Sequence, residues 1–274
     1  MFSRIRFFLM SLMAVVILVA CAGGEEEVSD VEPTLADGVY FAISESLSED
    51  GWYDYVSFKI EAGIVVNIDF NGVNEFATMT RKSSAETGLQ AANGERFDEQ
   101  AAIVEEALLA QWYQVLLDAV DADFNIDDAL EIDMETFAEL THVAFEVEPI
   151  ERGDYIDGFY NAGVVVGDEL FEGFTDFVNL FVKHGRIIAV HWNGVAPDGT
   201  FRYDPLVQGG GANPAKENLR EQAFRVERFL LNIQDPMQIT FDEDGIPADI
   251  FGVDIEVATF VSLVLQALAD GPLQ

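Results

Sequence analysis

Residues 54–73 read DYVSFKIEAGIVVNIDFNGV, and residues 176–195 read DFVNLFVKHGRIIAVHWNGV. The two stretches align without a gap and are identical at six positions. Each alternates apolar and mixed residues on both sides of a glycine, Gly63 or Gly185, and this period of two around a short turn predicts a β-hairpin. Glycine supplies the positive φ that such a turn requires. A repeat at this spacing predicts two copies of one domain.

The alternation also predicts which hairpin side chains share the face that packs on a core. In the first copy these are Val56, Phe58, Ile60, Ile64, Val66, Ile68 and Phe70. In the second copy they are Val178, Leu180, Val182, Ile188, Val190 and Trp192.

The segments around the hairpins predict the same order of elements in both copies. A short strand precedes each hairpin, at 37–42 and 157–162, and apolar residues at helical spacing follow it. The helices are expected at 98–120 and 134–145 in the first copy and at 214–232 and 255–269 in the second, with a candidate strand at 237–241. The fold class is therefore α+β, with two tandem copies, 37–150 and 153–270, of a mostly antiparallel sheet with packed helices.

The charge of the chain is strongly one-sided. It has 274 residues, with 50 acidic against 14 basic side chains and a formal net charge of -36. A surface of this kind repels nucleic acid and anionic lipid, so we expect neither as a partner of the folded part. The acid excess also suits a protein that works in high salt, where screening relieves self-repulsion.

The amino terminus has the pattern of a signal peptide. Arg4 and Arg6 precede an apolar run that ends at Cys21, the single cysteine of the chain. The small residues before it resemble a bacterial lipobox, so we predict a signal peptide over 1–20, a lipid anchor on Cys21 and an acidic tether over 21–36. An ordinary signal peptide or an uncleaved anchor is the alternative. The anchor implies an extracytoplasmic protein held on a bacterial membrane, the outer membrane if the cell has one.

The whole order of motifs resembles the tandem FMN-binding-domain lipoproteins of bacterial envelopes. These are similar to the flavin domains of the sodium-pumping quinone reductase and of the Rnf complex. The resemblance is carried by Asp37-Gly38-Val39-Tyr40 and Asp157-Gly158-Phe159-Tyr160, and by the hairpin ends Phe70-Asn71-Gly72-Val73 and Trp192-Asn193-Gly194-Val195. It implies a flavin carrier outside the cytoplasm, with envelope redox proteins as partners.

The chain departs from this family at the residue that carries the flavin. In the family a threonine hydroxyl takes FMN through a phosphoester bond, whereas here Asp133 and Asp254 stand at that position and only Gly252 survives from the motif. A carboxylate cannot form this bond, and its charge repels the phosphate. We therefore predict no covalent flavin on either copy.

A noncovalent flavin site would use aromatic side chains and backbone donors near the hairpin ends. The candidates are Trp52, Tyr53, Asn71, Gly72, Asp133, Trp192, Asn193, Gly194, Gly252 and Asp254. The alternative for the tryptophans is ordinary core packing. The alternative for Asp133 and Asp254 is to cap the helices that follow them.

No pattern in the sequence predicts a catalytic residue. A nucleophile elbow, a phosphate-binding loop and a cysteine nucleophile are absent from the sequence, and its three histidines lack the spacing of zinc ligands. The leading interpretation is an envelope lipoprotein that binds FMN noncovalently and takes part in electron transfer. The alternatives are a flavin-free structural or interaction lipoprotein, and a module that binds another aromatic solute in the same cleft.

Overall fold

The computed structural model describes residues 35–86, 96–118, 132–165, 174–203 and 219–274. The predicted signal peptide, Cys21 and the tether up to residue 34 lie outside the described residues. Within them the α+β class is confirmed, because each half has a three-stranded antiparallel sheet followed by helices. Residues 35–274 form one compact unit.

The described parts of the two halves share an order of three strands, a long helix and a later helix, and each half adds one short helical element. The first contains β1 (Gly38–Ile43), β2 (Trp52–Glu61), β3 (Ile64–Asn74), α1 (Arg81–Glu86), α2 (Phe97–Asp118) and α3 (Met134–Phe145). The second contains β4 (Gly158–Val165), β5 (Thr175–Lys183), β6 (Arg186–Val195), α4 (Leu219–Ile233), a 3-10 turn (Pro236–Gln238) and α5 (Ala258–Asp270). The strand orders are β1-β2-β3 and β4-β5-β6.

The helices and sheets form four layers. In the first half α2 packs on β3 and α3 on β1 and β2, and in the second α4 packs on β6 and α5 on β4 and β5. The buried side chains between each sheet and its helices form two separate apolar cores. The other faces of the two sheets pack on each other, because Tyr55 and Val73 of the first half share a buried cluster with Phe181 and Ala189 of the second.

Polar contacts also join the two sheets. They are Lys183 Nζ to Asp69 Oδ2 at 2.6 Å, Ser57 Oγ to His184 Nε2 at 2.7 Å, and Asn179 Nδ2 to the Phe76 carbonyl at 3.0 Å. Burial alone would raise the pKa of Asp69, but Lys183 and Lys82 hold it below its ordinary value. The halves are therefore joined by complementary charge as well as by apolar area.

A β-bulge changes the predicted inward face of each hairpin. In the first hairpin the register shifts between Lys59 and Ile60, so Val65 is buried while Ile64 and Val66 are exposed. The inward prediction for Ile64 and Val66 was wrong, because the extra residue reverses the alternation at the strand start.

The second hairpin contains the same bulge, between Phe181 and Val182. Here Ile187 packs in the helix-side core, whereas Ile188 packs with the cluster between the sheets. The prediction that Ile188 shares a face with Val190 and Trp192 was therefore also wrong, for the same reason.

Two further elements differ from the sequence prediction. The candidate strand at 237–241 is wrong, because residues 236–238 form a 3-10 turn capped by Asp235, and Phe241 makes only an isolated bridge to Pro247. The short helix α1 was missed, since it lies in a polar segment without apolar periodicity.

Candidate functional site

The aspartates of the repeated Asp-Gly-x-Tyr motif hold the hairpin turns. Asp37 Oδ1 accepts the backbone N–H of Gly63 at 2.9 Å, and Asp157 Oδ1 accepts that of Gly185 at 2.7 Å. The hydrogen bonds from Gly63 and Ala62 lower the pKa of Asp37. This residue of the motif thus joins the first strand of each half to the hairpin that follows.

The glycines of the motif allow the end of each half to pack against its first strand. Gly38 and Gly158 have φ values of 149° and 145°. A Cβ at Gly38 would lie 2.6 Å from Pro149 Cβ, and one at Gly158 would lie 2.8 Å from Pro272 Cβ. The tyrosine hydroxyls donate to backbone carbonyls, Tyr40 to Ala36 and Tyr160 to Ile156. The motif therefore has a structural explanation in both halves.

The asparagines at the hairpin ends are buried, and their side-chain oxygens are already bonded. In each half the Oδ1 atom accepts two backbone N–H groups. These are Gly72 and Lys82 to Asn71 at 2.9 and 3.0 Å, and Gly194 and Tyr203 to Asn193 at 2.8 and 3.1 Å. The oxygen of either side chain thus ties the end of its hairpin to the segment after it.

A buried aspartate–arginine pair lies beside each hairpin end. Arg81 NH1 donates to Asp54 Oδ1 at 2.9 Å, and Arg202 NH1 donates to Asp176 Oδ2 at 2.8 Å. Burial raises the pKa of Asp54 to about 6, although Arg81 acts in the opposite direction. A Cβ on Gly72 would lie 2.8 Å from Asp54 Oδ1, so glycine leaves space for the pair.

On the long helix of each half a glutamate, the partly buried Glu105 or the buried Glu227, accepts a backbone N–H of the adjacent strand. Glu105 Oε1 accepts from Phe70 N at 2.8 Å, and Glu227 Oε1 accepts from Trp192 N at 2.7 Å. A cation completes each site, with Lys82 Nζ 2.6 Å from Glu105 and Arg220 NH1 2.8 Å from Glu227.

The sequence analysis missed these glutamates. The signal that could have found them is the repeat itself, because Glu105 and Glu227 are separated by the same 122 positions as Phe70 and Trp192. Burial raises the pKa of Glu227, against the effects of Arg220 and of the Trp192 N–H.

The aromatic candidates lie in different surroundings. Trp192 is 1% exposed and packs on Tyr203 and Phe260, with ring centroids 5.5 and 5.1 Å apart. Trp52 is half-buried at the start of β2, and Tyr53 lines a cavity of about 70 Å³ between the two halves. The structure therefore does not bring the two tryptophans to one surface.

The aspartates at the flavin-attachment position have different roles. Asp133 caps α3, because its side chain accepts Thr136 N at 3.1 Å and the Thr136 hydroxyl at 2.7 Å. Despite some burial, the bonds from Thr136 lower the pKa of Asp133. The cap predicted for Asp254 is wrong, since α5 begins at Ala258 with Val257 in the cap position.

The segment around Asp254 is held to α4. The Asp254 N–H donates to Gln222 Oε1 at 2.7 Å, and Arg225 NH1 donates to the Gly252 carbonyl at 3.0 Å. Gly252 has a φ of 74°, which favours glycine.

A cleft of about 420 Å³ opens in the first half, between the segment after β1 and the helix α3 that Asp133 caps. It lies in the size range of small-molecule sites. Its described lining consists of Ile43, Ser44, Glu45, Ser46, Leu47, Ser48, Asp54, Thr136, Glu139, Leu140 and Val143. Of the flavin candidates, Tyr53 lies nearest this cleft along the chain, one residue before Asp54, and Asp133 lies three residues before Thr136.

The described ranges contain no helix that is long and apolar enough to cross a bilayer. In the same part of the chain, no group of three or more histidine, cysteine or acidic side chains could hold a metal ion.

Comparison with known proteins gives one match. No protein-family model matches the chain, and no curated protein matches it. The chain is similar to a protein from Clostridium thermocellum whose structure was solved by solution NMR, with 36% identity. The match covers 42% of this chain and 90% of that chain, with a TM-score of 0.34. This structural similarity is too low to assign a fold or a function.

Proposed function

We propose that this protein is a membrane-anchored extracytoplasmic lipoprotein whose doubled α+β fold serves as a flavin-free interaction scaffold. The observation that carries the proposal is that the side-chain oxygens of three flavin candidates are already bonded inside the protein. The side-chain oxygens of Asn71 and Asn193 each accept two backbone N–H groups, and the carboxylate of Asp133 caps α3. A flavin that used these oxygens as acceptors would compete with these bonds, with a cost for every buried group left unpaired.

Charge supports the same proposal. The cleft beside α3 is lined by the carboxylates of Glu45, Asp54 and Glu139. These charges disfavour a phosphate group in the same space. Trp192, the best stacking candidate of the second half, is enclosed in the core and cannot reach a ligand without repacking.

An interaction role is supported by a protruding aromatic side chain. Phe251 is 98% exposed. The loop that carries it is attached to α4 through Gly252 and Asp254. A protein partner that covered this ring would gain the burial of its apolar surface.

The proposal is tested by the colour and flavin affinity of the mature protein. We expect protein purified from its native membrane to lack the flavin absorption bands and to show no saturable binding of added FMN or riboflavin. We also expect no FMN adduct by mass spectrometry after co-expression with a flavin transferase. Stoichiometric flavin, covalent or released by acid, would support the electron-transfer interpretation instead.

A matched variant separates the effect of the missing hydroxyl from that of the surrounding site. Asp133→Thr keeps an oxygen that can cap α3 while it restores the hydroxyl of the family. If the wild type stays unlabelled and the variant gains FMN, the aspartate alone blocks attachment. If neither is labelled, the surrounding site has also lost flavin recognition. Both results agree with a flavin-free natural protein.

A further inference from the structure

The cleft of about 420 Å³ beside α3 has two walls and an acidic floor. One wall runs from Ile43, at the end of β1, to Ser48, and the other consists of the first two turns of α3 and Val143. Asp54 of β2 lies at the floor, where it is almost fully buried. The site is therefore built from three elements rather than from one loop.

The charge of the lining is negative. Glu45, Asp54 and Glu139 contribute carboxylates, and none of the described lining residues is basic. Two arginines lie next to it: Arg81 pairs with Asp54 at 2.9 Å, and Arg228 donates to the backbone carbonyl of Glu45 at 3.3 Å. Arg81 offsets the charge of the floor, but the carboxylates of both walls remain to attract a cation.

The walls are also apolar. Leu47 is 37% exposed and Val143 is 50% exposed, and Ile43 and Leu140 complete the apolar part of the lining. An apolar group placed between the walls would cover these side chains and gain their burial. The acidic and apolar parts of the lining together fit a ligand that has both a positive charge and an apolar group.

The carboxylates of the lining do not form a group that could hold a metal ion in the described part of the chain. Because apolar side chains lie beside these carboxylates, the lining favours an organic cation over an inorganic one.

We propose that this cleft binds an organic amine, with the ammonium group between the carboxylates of Glu45 and Glu139 and an apolar body between Leu47 and Val143. The inference goes beyond the scaffold role, because it assigns a small-molecule ligand class to a site that the flavin motif does not include.

The test is a calorimetric titration of the mature protein with phenethylamine at constant ionic strength. 2-Phenylethanol has a similar apolar body without the charge. We expect saturable 1:1 binding of the amine and binding of the alcohol that is weaker by about tenfold or more. No saturable binding of the amine, or equal binding of amine and alcohol, would overturn the proposal.

A pair of double variants separates this site from unspecific attraction to the acidic surface. Glu45→Gln with Glu139→Gln removes one carboxylate from each wall. Glu49→Gln with Glu135→Gln removes the same charge from the neighbouring loop and helix positions, which do not line the cleft. All four side chains are exposed, so both proteins should fold.

We expect the first double variant to bind phenethylamine about fivefold more weakly, the size expected for two partly exposed ion pairs, and the second to match the wild type within about twofold. Equal weakening in both would mean that the amine is attracted only by the net charge of the surface, and the proposed site would be wrong.

Discussion

His191 is a buried histidine that no hydrogen bond stabilises in the described part of the chain. It is 4% exposed, and both of its ring nitrogens lack a partner there. Its ring lies between Phe76 and Phe177, with centroids 5.1 and 5.9 Å away. Burial, assisted by the charge of Arg220, lowers the pKa of His191 to about 3. The residue is therefore neutral in the folded protein across the physiological range.

This environment predicts how stability depends on pH. The ordinary pKa of the imidazole is 6.5, so between pH 6.5 and about 3 the unfolded chain binds a proton that the folded protein does not. The titration of His191 therefore leaves the free energy of unfolding unchanged above pH 6.5. Below pH 6.5 it lowers the free energy of unfolding, by up to about 1.4 kcal/mol per pH unit.

We predict that His191→Leu raises the free energy of unfolding by about 1–2 kcal/mol at pH 7, because the variant no longer buries unpaired polar atoms. The difference from the wild type should grow as the pH falls from 6.5 towards 4, as measured by urea denaturation. A difference that does not vary with pH would mean that His191 is not the titrating group.

At the scale of elements, a glutamate carboxylate attaches the long helix of each half to the edge of its sheet. Glu105 of α2 accepts a backbone N–H of β3, and Glu227 of α4 accepts a backbone N–H of β6. A helix that packs only through apolar side chains can slide along a sheet, whereas a hydrogen bond to one backbone amide specifies its position. We infer that this contact sets the register between helix and sheet in both halves.

We predict that Glu227→Ala lowers the free energy of unfolding by about 3 kcal/mol, because the Trp192 N–H and the Arg220 guanidinium lose their buried partner. Glu221→Ala on the same helix removes an exposed pair with Arg225 and should cost less than about 1 kcal/mol. Thermal and urea denaturation measure both values. Similar losses in the two variants would contradict a special role for the buried glutamate.

The sequence pattern predicted those helices and strands whose bounds depend on residues close together in the chain. The observed helix Met134–Phe145 has the predicted bounds, and Asp133 caps it as the alternative interpretation expected. The pattern failed for Ile64 and Val66, because a bulge depends on the pairing of two strands and leaves no local signal. It also missed the cleft, whose walls come from segments far apart in the chain.

At the scale of the whole molecule, the two halves share a buried interface between their sheets. Phe181 is central to it, since its ring stacks on Phe159 at 4.5 Å and lies 6.4 Å from the ring of Tyr55 in the other half. Neither half can lose its sheet without exposing this cluster to water. Such sharing of apolar area makes two repeats unfold as one.

We predict a single calorimetric transition for the mature protein, with equal calorimetric and van't Hoff enthalpies. Phe181→Ala should lower the stability of this one transition by about 3 kcal/mol, the cost of a large cavity. Phe251→Ala, at the exposed tip of its loop, should leave the transition unchanged. Two separate transitions in the wild type would show that the halves fold independently.

The net charge of -36 predicts a dependence on salt. The Debye length falls from about 30 Å at 0.01 M to about 3 Å at 1 M ionic strength, so salt screens the repulsion between acidic groups across the molecule. We expect the melting temperature to rise over this range in both NaCl and KCl. A higher melting temperature at low salt would contradict a protein suited to high salt.

The sequence by itself determined that this chain is built twice from one α+β unit, because period and repeat are properties of residues close together. Only the tertiary structure decided that the two units meet sheet against sheet, that Glu105 and Glu227 attach helices to strands, and that Asp54 lies at the floor of a cleft. These features depend on contacts between residues far apart in the chain, and such contacts exist only when the backbone has closed around them.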